Sequence, residues 1–130
     1  MSNEPSNPKS NGETVLVLSS DLFFTMRIRD ALKQIGYRSQ IVKNETGFQS
    51  AVRDSGQPAL GIIDFNHGIA WDALAPVLNE SDMPTIAFGP HKDTAGFAAA
   101  RQAGVTRVIS NGAFTSSLPD LVQKYASPGS

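Results

Sequence analysis

The sequence predicts an α/β fold, a doubly wound parallel sheet of five strands with helices on both faces. Three features predict it. Short continuous apolar runs recur where a half-exposed sheet would alternate, as strands covered on both sides require. Segments with apolar residues at helical spacing separate those runs, and glycines or prolines punctuate the joins. Parallel neighbours need right-handed crossovers, and 2-1-3-4-5 is the expected strand order.

Taken in order, Val15-Leu16-Val17-Leu18 reads as the first strand. Phe24, Ile28, Ala31, Leu32 and Ile35 form a helical stripe, with Gly36 as the C′ residue. Ser39 to Val42 is a short second strand, and Thr46 to Asp54 a helix with Phe48, Ala51 and Val52 inward. Gly56-Gln57-Pro58 turns the chain into Ala59-Leu60-Gly61-Ile62-Ile63-Asp64, the third strand. A helix from about Asp72 to Asn79 buries Leu74, Val77 and Leu78, with Pro76 tolerable only near its first turn. Pro84 to Phe88 is the fourth strand, closed by Gly89-Pro90, and Thr94 to Ala103 a helix with Gly104 as a second C′ residue. Arg107-Val108-Ile109 is the fifth strand. Ser117-Leu118-Pro119-Asp120 resembles a capping box with Asp for Glu, opening a helix that buries Leu118, Leu121, Val122 and Tyr125.

The 130 residues suit one core. Residues 1–13 carry no large apolar side chain after Met1, and 127–130 are alike, so both read as mobile tails around a domain spanning 14–126. With 11 basic and 12 acidic residues the net charge is −1, which argues against nucleic acid as a partner. Cysteine is absent, which excludes disulfides, thiolate metal sites and Cys nucleophiles. No run is long and apolar enough for a bilayer and no signal-peptide core opens the chain, so a cytoplasmic protein without membrane contact is expected.

Asp64 carries the most information. It closes an apolar strand and is followed by the loop residues Phe65-Asn66-His67-Gly68, on the face where open α/β sheets bind ligands. Thr25-Met26-Arg27 lies early in the first helix, Ala103-Gly104-Val105 forms a small-Gly-small turn, and Phe114-Thr115 is an aromatic-Thr pair after the fifth strand. In order and spacing, from about Thr14 to Tyr125, these features resemble the receiver domain of bacterial two-component response regulators, a flavodoxin-like (βα)5 fold. The resemblance implies that Asp64 is the equivalent of the phosphoacceptor and that Asn66 offers a backbone carbonyl to a metal.

Other parts of that pattern are missing. Ser19-Ser20 stand where receivers keep the acid pair for Mg²⁺. Asp21, one residue on, is either the N-cap of the first helix or a carboxylate within reach of the metal. Gly89 replaces the Thr or Ser that ends the fourth strand, and Ser110-Asn111 replace the Lys that ends the fifth. Gly112 replaces the following Pro and Val108 the switch aromatic. Phosphoryl transfer is mostly positioning and charge neutralisation, and each missing element removes a factor of about 10² to 10³ by analogy with deleted electrostatic stabilisers. The pattern is that of a degenerate pseudo-receiver.

Other readings of the same loops fare less well. His67 and His91 could join Asp64 and Asn66 in a metal site, or be exposed loop histidines; no metal-ligand spacing appears. A cobalamin-type loop fails on the His spacing. Flavin binding after the first strand fails because Leu22-Phe23-Phe24 interrupt the loop and no glycine lets amides converge. Ser-His-Asp catalysis lacks the G-x-S-x-G elbow. Phe23 and Trp71 flank the rim, one of them a candidate exposed contact.

The function expected is therefore a stand-alone receiver-like signalling domain, not an enzyme, without a cofactor, acting on a protein partner such as a signalling protein or histidine kinase. By the resemblance, the partner surface includes Lys92, Phe97, Arg101, Arg107, Phe114 and Ser116. Two alternatives stand beside it: a working single-domain response regulator phosphorylated on Asp64 by a histidine kinase within a phosphorelay, and a small-ligand or metal sensor. The oligomeric state is open, a homodimer included.

Overall fold

A computed structural model describes residues 14–54 and 56–126; both predicted tails lie outside the described residues. Strands β1 (Thr14–Leu18), β2 (Arg38–Val42), β3 (Leu60–Asp64), β4 (Thr85–Gly89) and β5 (Arg107–Ser110) form one parallel sheet in the order β2-β1-β3-β4-β5. Helices α1 (Leu22–Gln34), α2 (Glu45–Asp54), α3 (Trp71–Glu80), α4 (Thr94–Ala103) and α5 (Asn111–Ala126) alternate with them. Successive side chains of a strand point to opposite faces, so the sheet serves two cores. Val15, Val17, Leu60, Ile62, Ile86 and Phe88 pack with Ile28 and Leu32 of α1 and with Phe114, Leu118 and Val122 of α5. Leu16, Leu18, Ile63 and Ala87 pack on the other side with Phe48 of α2, Leu74 and Val77 of α3 and Ala100 of α4. Both faces are thereby covered, which is why the strands read as continuous apolar runs. Gly36 and Gly104 sit at φ +88 and +108, the left-handed values that end helices α1 and α4.

The largest departure from the sequence reading is α5. It begins at Asn111, not at Ser117, so Ser117-Leu118-Pro119-Asp120 is helix interior and caps nothing. The start is held by Ser110, whose Oγ accepts from Ala113 N at 3.2 Å. Interior Pro119 removes an N–H from the helix. Packing outweighs that cost: Phe114, 1% exposed, stacks on Phe88 with ring centroids 3.9 Å apart and 4° between planes. Pro76 likewise lies in the second turn of α3 rather than the first, between buried Leu74 and Val77. Tyr125 is only partly buried.

Candidate functional site

The five strands end at one edge, and the loops that leave them converge on Asp64 at the C-terminal end of the central strand. The position is geometric: β1 and β4 flank β3, so the loops after Leu18 and Gly89 rise on either side of the carboxylate. Asp64 is 4% exposed, and each of its oxygens accepts from neutral donors. Ser19 Oγ donates to Oδ2 at 2.7 Å. Oδ1 accepts from the backbone N of Asn66 at 2.8 Å and from its Nδ2 at 2.7 Å. A buried carboxylate needs such donors, and hydrogen bonds to a charged acceptor are the stronger kind.

The network extends across the sheet. Asn66 Nδ2 also donates to Asn111 Oδ1 at 3.0 Å, and Asn111 Nδ2 returns a bond to Asn66 Oδ1 at 2.9 Å. Both hydrogens of the Asn66 amide are therefore used. The chain Ser19–Asp64–Asn66–Asn111 ties the loops after β1 and β3 to the first residue of α5. Ser20 is exposed and takes no part in it.

Asp21 is the N-cap of α1: its Oδ1 accepts from Phe24 N at 3.1 Å. Its Oδ2 lies 3.3 Å from His67 Nε2. The Phe24 N–H first, and His67 second, hold the Asp21 carboxyl below its ordinary value. His91 is exposed on the loop between β4 and α4. Asp64, Asn66, His67 and His91 are thus not brought into a ligand set, and among the described residues no three His, Asp or Glu side chains are placed to hold a metal.

The Mg²⁺ that a receiver would bind does not fit this donor set. Both oxygens of Asp64 are engaged by protons, Ser19 is neutral and turned to Asp64, and Asp21 is committed to α1 and His67. A cation that dehydrates reluctantly needs several free oxygens. A pocket of about 220 Å³ does remain beside Asp64, lined by Ser19, Ser20, Lys43, Glu45 and His67. Lys43 and Glu45 were not singled out in the sequence, although they follow the second strand at this same edge. Glu45 is anchored there, its Oε2 accepting from Ala70 N at 2.7 Å.

Gly89 shows why a hydroxyl side chain is missing from the end of β4. A Cβ there would lie 2.4 Å from Cε1 of Phe65. The Phe65 ring, 3% exposed, fills that space and packs edge-on against Trp71 and Phe97, centroids 6.1 and 5.5 Å away. Sequence reading passed over Phe65; small residues at 89 and 96 are the available signal, because a Cβ at Gly96 would also meet the ring, at 2.9 Å.

Of the expected partner-surface residues, Lys92, Arg101, Arg107 and Ser116 are exposed and Phe97 is half-buried under the Arg101 guanidinium. Phe114 is not a surface residue: its stack on Phe88 puts it in the core. Of the two rim aromatics, Phe23 is exposed, whereas Trp71 packs on Phe65.

The fold has many solved counterparts. The phosphorylated cyanobacterial phytochrome response regulator RcpA superposes with a TM-score of 0.74 at 11% identity, over 91% of this chain and 96% of its own. A response regulator from Thermotoga maritima gives 0.73 at 20%, over 88% and 97%. A CheY-like receiver domain protein from Methanospirillum hungatei gives 0.75 at 13%, over 88% and 94%. The fold is the receiver fold. No protein-family model matches the sequence, and neither does any curated protein. The helices among the described residues include none long and apolar enough to cross a membrane.

Proposed function

We propose that this chain is a phosphorylation-independent pseudo-receiver, a cytoplasmic signalling domain that acts by protein–protein contact and catalyses no reaction. One observation carries the proposal: both oxygens of Asp64 already accept hydrogen bonds from neutral groups of the chain itself. Ser19 and Asn66 occupy the carboxylate, Asn111 locks Asn66, and Phe65 fills the space of the absent hydroxyl. Asp64 then works as a structural carboxylate that fixes the loops after β1 and β3 and, through Asn66, the start of α5, and the contact surface reads out a fixed shape rather than a switched one. Exposed Lys92, Arg101, Arg107 and Ser116 are candidates for that surface.

Asp64→Asn tests this directly. The carboxamide keeps the shape and an acceptor for Asn66 while the charge is lost, so the variant should unfold within about 1–2 kcal/mol of wild type. It should also retain the same partners in a pull-down from the native host. A folded Asp64→Asn protein that loses them would contradict the proposal. The second reading, a response regulator phosphorylated on Asp64 by a histidine kinase, draws on the pocket that still opens beside the carboxylate.

A further inference from the structure

Among the described residues, the large apolar side chains left exposed are all on the first turns of α1: Leu22 at 73%, Phe23 at 67% and Met26 at 48%. Phe23, Met26, Arg27, Asp30, Ala31 and Gln34 line a groove of about 460 Å³ along the helix. Their spacing is that of a single helical face. That face is its own complement. A second α1 laid antiparallel, about a two-fold axis between Ile28 and Arg29, sets Phe23 against Gln34 and Arg27 against Asp30 along the seam, with Met26 and Ala31 on its two flanks. Each pair occurs twice, as an isologous contact requires. The Phe23 ring meets the Gln34 side chain, and cation meets anion.

The charges are free to serve this contact. Among the described residues neither Arg27 nor Asp30 has an ion-pair partner, and the Arg27 guanidinium rests 5.4 Å above the Phe23 ring. We infer that α1 pairs with α1 of a second copy of this chain, forming an antiparallel dimer. One face of a 13-residue helix is less than a standard interface, so association is weak and depends on concentration. The pairing rests on α1 alone, and its failure would leave the account of the Asp64 pocket untouched.

Sedimentation equilibrium of the full chain, from about 10 μM to about 1 mM, reads the association. The weight-average mass should climb from 13.9 kDa towards twice that value. Arg27→Asp and Asp30→Arg, both at exposed positions, should each weaken association at least about tenfold by facing like charges. The double exchange Arg27→Asp with Asp30→Arg should restore it, because both crossed pairs again join opposite charges. Phe23→Gln should weaken it with no change of charge. A wild type that stays monomeric, a dimer indifferent to the single exchanges, or a double exchange that fails to recover would overturn the inference.

Discussion

Replacing Gly89 by Ala probes the device that closes the pocket. The new Cβ would stand 2.4 Å from Phe65 Cε1 and 2.6 Å from Cδ1 and Cζ, where carbon atoms normally rest about 3.5–4.0 Å apart. The ring has no slack, since Trp71, Phe97 and the Gly96 backbone box it in. Overpacking costs about 1–3 kcal/mol, and complete loss of a buried Phe contact costs about 3–5. A ring pushed partly out falls between, at about 2–4 kcal/mol. Gly89 does not have a left-handed φ, so the backbone alone would gain about 0.4–1 kcal/mol from alanine. Urea unfolding followed by circular dichroism and Trp71 fluorescence measures the difference. The decisive comparison is with Phe65→Ala. In that background the clash is gone, and Gly89→Ala should turn neutral or slightly stabilising. If it cost the same in both backgrounds, within about 0.5 kcal/mol, Phe65 would not be what excludes a side chain at 89.

Two further outcomes follow from the site. Calorimetry or Trp71 fluorescence should find no saturable Mg²⁺ binding below about 1 mM, since the donors left are too few; saturation in that range would make Asp21 or Glu45 a ligand. The folded Asp21 carboxyl sits below its ordinary value of 3.8 because Phe24 N–H and His67 favour its ionised form. Its contribution to stability is therefore present above 3.8 and is lost as pH falls through the lower folded value. The stability gap between wild type and Asp21→Asn should close as pH falls below 3.8 and the carboxyl takes up its proton; a gap that persists undiminished in that acid range would refute a role for the ionised carboxylate.

Much of the fold was legible because strands buried on both faces cannot alternate. Val15–Leu18 and Leu60–Ile63 announce themselves as unbroken apolar runs, and Gly36 and Gly104 mark helix ends through a backbone geometry other residues avoid. The start of α5 was not legible. Gly112 and Pro119 are local helix breakers and Ser117 a local cap, and only the Phe114–Phe88 stack, a long-range contact, outweighs them. The same stack misled the expected partner surface. At the site, Asp64 was readable as a carboxylate ending an apolar strand, and Asp21 as a cap from its place before the helical stripe. The Asn66–Asn111 pair joins residues 45 apart, and amides leave no periodic trace in a sequence. The end of β4 is held by packing of Phe65 against Gly89, a long-range contact that a sequence does not display.

In the proposed function Asp64 is a structural carboxylate. The most direct test of that role is the intact mass of the protein after incubation with acetyl phosphate and Mg²⁺, beside Asp64→Asn. Phosphoryl transfer depends on cations placed at the acceptor, whereas Asp64 is held by neutral donors and no metal-holding group stands beside it among the described residues, so both proteins should keep their original mass. A hydroxylamine-sensitive gain of one phosphoryl group in wild type alone would contradict that role and make Asp64 a working phosphoacceptor.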